Sequence, residues 1–328
     1  MLARLAESLY WMGRYLERVE HLARYLKVQY FSTMDAPIEL PRFFVSTSLI
    51  NVAGSEMEIE EDTVDEDILF EVALNTENPN SIISCIIKCR ENAQAIRPSI
   101  SSELWESINS LYHFAKSYDT GIFKNTGLYD FTTKTLSFAS MFKALVNGTM
   151  LHDESWHFIR LGNHIECTTQ INRILSNKVF DIERLSIDHE IKKPLENYQW
   201  VTTLIILEGL DVSRKIYKKA PNKTTTSEFL ISNTQFTRSL AYNFEYCHHF
   251  IKLLSNSESN TYNKNSLEFK CAKLAADYKF IELSNEHNLE LFLEETNDKI
   301  SDLHQLIDQN FFYKEDNISQ SQTNSNSQ

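Results

Sequence analysis

Glycine and proline are scarce, with 7 and 6 respectively in 328 residues. Tight turns use glycine's left-handed backbone or proline's fixed φ, and nucleotide-binding α/β folds use glycine loops. A chain this poor in both is predicted to be all-α, built of long helices joined by few turns. It contains no Walker loop, dinucleotide fingerprint or nucleophile elbow, so ATP or NAD binding through a standard loop is not expected, and no cofactor is assigned. Cysteine is sparse as well: five residues, an odd number, with no C-x-x-C pair. That argues against a disulfide framework and suits a reducing compartment. Positive charge is in deficit. The formal net charge of −13 repels phosphate backbones, so nucleic acid is not an expected partner. Long apolar runs are missing too. The longest strongly apolar run, Leu204 to Leu207, falls far short of the roughly 20 residues that cross a bilayer. The charged residues after Met1 do not read as a signal peptide. A cytoplasmic protein without a membrane partner is expected.

What is present is periodicity. Apolar residues fall at Leu2, Leu5, Leu9, Met12, Leu16, Val19, Ala23 and Leu26, at alternating spacings of three and four. This heptad seam predicts one long amphipathic helix packed against others from the first residues onward. On a helical wheel Gly13, Glu17 and Arg24 fall within about 40° of one another beside that seam. Glycine inside a helix costs about 1 kcal/mol relative to alanine. Close approach of another helix or of a ligand is the usual compensation. Arg14, Arg18, Glu20 and His21 surround the stripe, which as a single occurrence reads as i,i+3 and i,i+4 ion pairing.

The stripe recurs. Leu9 to Leu26 aligns with Phe158 to Leu175 at an offset of 149, pairing Gly13 with Gly162, Glu17 with Glu166 and Arg24 with Arg173. Phe44-Val45-Ser46-Thr47 resembles Trp200-Val201-Thr202-Thr203 at an offset of 156. Asn75-Thr76 and Ser81-Ile82 resemble Asn233-Thr234 and Ser239-Leu240 at 158, which sets Cys89 opposite Cys247. Three collinear blocks predict a large helical bundle of two diverged, tandem-duplicated halves, 1–150 and 151–313. A Ser/Asn/Gln-rich tail over 314–328 is expected to be disordered. The copies differ: Arg14 faces Asn163 and Arg18 faces Cys167, so a site built mainly from the first copy is expected.

Residues 56 to 67 hold eight carboxylates and no basic residue, which reads as a solvated acidic loop. Asn78-Pro79-Asn80-Ser81 predicts a turn with Ser81 capping the next helix, and Pro98 stops that helix near Arg97. Ser101-Ser102-Glu103 opens another helix. Arg90 and Arg97 lie seven apart, on one face, with Glu91, Asn92 and Glu103 nearby. Later helices are predicted over 134–148, 194–219, 227–255, 265–284 and 287–310. Glu154-x-x-His157 and Glu245-x-x-His248 fit the spacing of di-iron carboxylate bundles, with Glu17 and Glu166 as further ligands. The two are not equivalent under the 149 offset, and satisfied histidines are the plainer reading. Cys247 beside His248 does not suit nucleophilic catalysis, because adjacent helical residues point apart.

Tyr10-Trp11-Met12-Gly13-Arg14-Tyr15-Leu16-Glu17-Arg18-Val19-Glu20 resembles the opening motif of the bacterial alpha-E domain family, named for its helices and a Glu-Arg dipeptide. Arg90-Glu91-Asn92-Ala93 with Arg97, and Glu103-x-Trp105-Glu106 with Asn109, look like that family's central motif. Trp156-x-Phe158-x-x-Leu161-Gly162 looks like its second Glu-Arg block, and Glu228-Phe229-Leu230 with Arg238-Ser239 like its C-terminal one. The similarity runs over about 1–310. The second Glu-Arg pair reads Glu166-Cys167 here, Asn163 stands where an arginine is usual, and Thr237 where a proline is.

The resemblance implies a setting, not a reaction. Genes of the family typically neighbour a circularly permuted ATP-grasp ligase and a transglutaminase-like cysteine peptidase. Those two proteins are therefore the expected partners, in a system that makes, modifies or trims a peptide or amide-linked product. The first reading is a non-catalytic helical accessory protein that binds an acidic peptide. The candidate cluster is Arg14, Glu17, Arg18, Arg90, Glu91, Arg97, Glu103 and Glu166, in which arginine forks suit carboxylates. The second is an enzyme of the same pathway using Glu17 as acid/base. The third is a di-metal carboxylate bundle.

Overall fold

A computed structural model describes residues 1–32, 42–60, 63–183, 189–255, 263–283 and 288–313. Among them there is no strand, and fourteen α-helices carry the chain. In the first half these are α1 (Ala3–Ser32), α2 (Arg42–Ala53), α3 (Asp65–Ala73), α4 (Ile82–Ala95), α5 (Ser102–Lys116), α6 (Thr120–Ile122) and α7 (Leu128–Thr149). The second half has α8 (Glu154–Glu183), α9 (His189–Ile206), α10 (Leu210–Tyr217), α11 (Lys223–Ser232), α12 (Leu240–Leu254), α13 (Leu267–Lys279) and α14 (Leu289–Ile307).

The two longest helices, α1 and α8, lie side by side and run in the same direction. Tyr10 meets Gly162, Arg14 meets Glu166, Tyr25 meets Asn177 and Gln29 meets Lys178. Helices α4 and α7 pack on α1 and are joined by α5. Helices α12 and α14 pack on α8 and are joined by α13. The short α2 and α9 each touch both central helices. Leu9, Met12, Leu16, Val19, Ala23 and Leu26 are all buried, as the seam predicts. Leu2 is 74% exposed and Leu5 half-buried, so the packed stripe starts later than the sequence pattern does. The Met1 amino group instead pairs with Glu154 at 3.2 Å.

Glycine permits the α1–α8 contact. A Cβ at Gly13 would run into the carbonyl of Ile159, and one at Gly162 into the carbonyl of Tyr10. Tyr10 and Ile159 are themselves 149 apart, so the two contacts are reciprocal. Asn163 adds a hydrogen bond across the crossing, donating to the Gly13 carbonyl at 2.9 Å. Further along, the Asn177 amide donates to Ser48 and Tyr25, and Lys178, fully buried, donates to Gln29 at 2.6 Å and Gln199 at 3.2 Å.

Ser81 caps α4, accepting from the Ser84 amide, and α4 ends before Pro98 as expected. The range 194–219 is not one helix. It breaks after Ile206, where Glu208 takes a positive φ of 54° ahead of Gly209. The range 227–255 also breaks. Asn233 Oδ1 accepts from the amides of Gln235 and Phe236, and Ser239 caps the new helix by accepting from Tyr242. Helix α7 begins at Leu128, a turn and a half before the 134 expected. Of the acidic run, Asp65, Glu66 and Asp67 form the first turn of α3, where they complement the helix dipole. Glu61, Asp62 and the tail 314–328 lie outside the described residues. All five cysteines are buried free thiols. No described helix is long and apolar enough to cross a membrane.

Candidate functional site

The glycine crossing brings α1 close enough for its arginines to reach a carboxylate on α8. Arg18 forks onto Glu166, Nε donating to Oε1 at 2.7 Å and Nη2 to Oε2 at 3.1 Å. Arg14 Nε donates to Oε2 at 2.8 Å, and Gln170 to Oε1 at 2.8 Å. Glu166 is fully buried. Burial alone would raise its pKa, but Arg18 and then Arg14 hold the carboxyl well below the usual carboxylate range. The outer edge of Arg14 is also engaged. It lies over the Trp11 ring at 4.5 Å and donates to His304 Nε2 at 3.0 Å, while His304 Nδ1 meets the Tyr10 hydroxyl at 3.0 Å. Every charge in this cluster has a partner inside the protein, so it acts as an interhelical clamp.

Glu17 belongs to a different cluster, on the other side of the α1–α8 pair. Its carboxylate meets Lys143 of α7 at 2.9 Å and His21 at 3.3 Å. Lys143 also pairs with Glu20 at 2.5 Å. Arg238 joins Glu20 at 2.5 Å and Glu208 at 2.7 Å, and Arg24 bridges the same two glutamates at 2.8 and 2.5 Å. Glu208 reaches both arginines from its left-handed backbone position, a strained conformation for a side-chain-bearing residue. Burial, the largest influence, pushes the Glu17 carboxyl up, but Lys143 and His21 together outweigh it and hold the group at about 2. A cavity of about 190 Å³ opens beside Glu17, lined also by Lys143, Arg160, His164, Cys167 and Arg238.

Glu17, His21 and Cys167 place one ligand atom each within 4.8 Å of one another, the one such group among the described residues. The donor set fits a cation poorly. Glu17 already holds Lys143, His21 Nε2 lies 3.1 Å from an Arg238 nitrogen, and burial raises the Cys167 thiol to about 12. The Glu-x-x-His pairs do not converge with Glu17 and Glu166. Glu154 is half exposed and paired to the Met1 amino group, and Glu245 is half exposed near Lys279.

Arg90 and Arg97 stand on a third surface, between α4 and α5. Arg97 lies over the Trp105 ring at 5.9 Å, and Arg90 lies between Trp105 at 5.6 Å and Tyr112 at 4.4 Å. Lys116 covers Tyr112 at 5.4 Å. Arg90 donates to Asn109 at 2.8 Å, and Arg97 to Ser102 at 3.1 Å. Glu91 and Glu103 are exposed at its edge. The eight candidate residues therefore divide three ways. Arg14, Arg18 and Glu166 form the clamp, Glu17 joins the Lys143 network, and Arg90 and Arg97 form the ladder with Glu91 and Glu103 beside it. The expectation of one cluster fails because neighbouring helical positions such as Glu17 and Arg18 point to opposite sides of the α1–α8 pair. Lys143, Arg160 and Glu208 have no sequence signal of their own. Arg238 lies in a family-like segment, and Glu20, His21 and Arg24 flank the stripe.

The histidines give this network a pH dependence. Burial, then Arg160, holds the His164 pKa down to about 3, and burial, then Arg14, holds that of His304 at about 4. In the unfolded chain each titrates near 6.5, so the unfolded state binds protons first as the pH falls. Stability is expected to drop from about pH 6.5 downward, by on the order of 1–2 kcal/mol per histidine by pH 5. Below about pH 4 the loss steepens, as Glu17 and Glu166 take protons in the unfolded chain but not in the folded one. Thermal unfolding between pH 7.5 and 3 checks this, and a flat midpoint down to pH 4.5 would contradict it.

An all-helical protein whose two central helices are clasped by glutamate–arginine pairs is the class these features define. The chain belongs to the Alpha-E family, described as a predicted alpha-helical domain with a conserved ER motif, which it matches over residues 1–312. It is 21% identical over 277 residues to the uncharacterised protein Rv2567 of Mycobacterium tuberculosis, and 20% identical over 277 residues to the uncharacterised protein Mb2597 of Mycobacterium bovis. Each alignment covers 79% of this chain and 30% of the relative, so the chain spans less than a third of the length of these curated relatives. No solved structure matches.

Proposed function

We propose that this chain is a non-catalytic helical accessory protein of a system that forms or modifies peptide or amide bonds, and that it docks an acidic peptide segment on the α4–α5 ladder. The observation that carries the reading is the run Arg97–Trp105–Arg90–Tyr112–Lys116. Its three cations have aromatic and neutral partners but no carboxylate among the described residues. Stacking on the rings holds these guanidinium groups in place without neutralising them, which leaves their charge for a carboxylate. The clamp arginines, by contrast, already hold Glu166. Glu17, kept ionised by Lys143, is a weak general acid or base at neutral pH, which counts against the enzyme reading.

The partners we propose are the circularly permuted ATP-grasp ligase and the transglutaminase-like peptidase that the family resemblance implies. The relatives support a modular role, because in them the matched segment is joined to a larger stretch of sequence. We further read the two halves as diverged copies of one ancestral unit. The reciprocal glycine contacts support this, as does the matching order of α1, α4, α5, α7 and α8, α12, α13, α14.

Fluorescence polarisation of the full chain with a labelled deca-glutamate peptide tests the docking face. Binding is expected to weaken with added salt and to fall about tenfold or more in the Arg90→Ala/Arg97→Ala variant. Equal binding by that variant and the wild type would sink the proposal. Co-purification with the ATP-grasp partner tests the setting.

A further inference from the structure

The cavity beside Glu17 holds one positive charge that the protein does not balance. Around it Glu17, Glu20 and Glu208 offset Lys143, Arg24 and Arg238 through contacts of 2.5 to 2.9 Å. Arg160 of α8 lines the same cavity with no carboxylate in contact among the described residues. Glu17 is the carboxylate that acts on it most strongly, but the oxygens of Glu17 are engaged by Lys143 and His21.

The Arg160 side chain is nonetheless held in place. Its guanidinium lies 5.7 Å over the Trp156 ring. One Nη donates to His164 Nε2 at 3.1 Å, while His164 Nδ1 donates to Asn243 Oδ1 at 2.8 Å. Asn243 uses its own amide on the carbonyls of Thr237 and Ser239, which leaves its oxygen as the acceptor. This chain fixes His164 as the neutral Nδ1–H form, able to accept from Arg160 but unable to neutralise it. Arg160 Nε is buried and has no acceptor. Arg160 is half-buried with its Nε out of water; a guanidinium left there without a counter-charge is costly, and the group that would complete it is an anion.

We propose that this cavity is a binding site for a small carboxylate, anchored by Arg160 and faced by Lys143 and Arg238. The volume of about 190 Å³ equals about six waters at roughly 30 Å³ each. That admits a short acid or the end of an acidic side chain and excludes a nucleotide. The surplus is a single positive charge, which matches a monoanionic carboxylate better than a phosphate. Asn163, Thr237 and Tyr242 supply neutral polar atoms on the walls. The site lies apart from the α4–α5 ladder, so the two proposals fail independently.

Isothermal titration calorimetry of the full chain with butyrate tests the assignment, with inorganic phosphate as the second arm and sodium chloride of equal ionic strength as the control. Butyrate is expected to bind and to raise the melting temperature above the salt control. In Arg160→Gln the affinity is expected to fall about tenfold or more. That variant is expected to melt at or above the wild-type temperature in the absence of ligand, because it removes a half-buried charge that no carboxylate contacts among the described residues. Should Arg160→Gln fail to fold, Arg160→Lys, which keeps the charge and loses the fork, serves in its place with the same loss expected. The proposal is overturned if butyrate does no more than chloride, if the variants bind butyrate as the wild type does, or if phosphate saturates the site and butyrate does not.

Discussion

Glu166→Gln is expected to lower folding stability by about 3–5 kcal/mol, the cost of removing one partner from a buried ion cluster. The change keeps the shape of the side chain but strands Arg14 and Arg18, which are 7% and 13% exposed along their side chains. No other carboxylate contacts either of them among the described residues. The cost comes from the orphaned guanidinium groups, so removing all three charges together should relieve it. An Arg14→Met/Arg18→Met/Glu166→Leu variant is expected to recover most of the loss, since well-packed apolar replacements of buried ion clusters are often neutral. Urea unfolding of the wild type and the two variants measures both numbers. A loss below about 1 kcal/mol for Glu166→Gln would mean that the arginines find solvent when released, as surface pairs do.

Gly162→Ala is expected to cost about 2–4 kcal/mol, and Gly13→Ala a similar amount. In an isolated helix alanine would gain about 1 kcal/mol over glycine. Here the new methyl would meet a backbone carbonyl of the facing helix, which cannot rotate away as a side chain can. The helices must separate, and that weakens both the clamp and the Asn163–Gly13 hydrogen bond. For a chain of this size the melting temperature should fall on the order of 3–6 °C. Gly148→Ala is the control. It sits in α7, where an added Cβ would have nothing within 4 Å, and is expected to be neutral or slightly stabilising.

The close helix approach at Gly13 and Gly162 was legible in the sequence, because a glycine in a strong heptad pattern demands a compensating contact. The all-helical class followed from the shortage of turn residues. The break at Asn233–Ser239 overturned the single helix expected over 227–255, although the 158 offset from the Asn75–Ser81 turn, which ends at the cap of α4, marks the place where the second cap falls at Ser239. The break at Glu208 carries no such signal, since glutamate rarely takes a positive φ and only the two arginines it reaches explain its place. Arg90 and Arg97 both reach the Trp105 ring, but not through their spacing of seven: α4 ends at Ala95, and Arg97 lies in the 3-10 turn that follows. The partition of the remaining candidates was not legible. Whether Glu17 meets Arg18, Arg160 or Lys143 depends on which helices flank α1 and at what rotation, and the sequence of α1 is silent on both. Lys143 and Arg160 become visible only when α7 and α8 are set in place.

The central claim is that the Arg14–Arg18–Glu166 clamp holds α1 and α8 together while ligand recognition takes place elsewhere. Binding of the labelled deca-glutamate peptide to the Arg14→Met/Arg18→Met/Glu166→Leu protein tests it most directly. The two sets of side chains share no partners, so the dissociation constant should stay within about twofold of wild type. Loss of binding in that folded variant, with binding retained in Arg90→Ala/Arg97→Ala, would contradict the claim and return the Glu-Arg motif to the ligand.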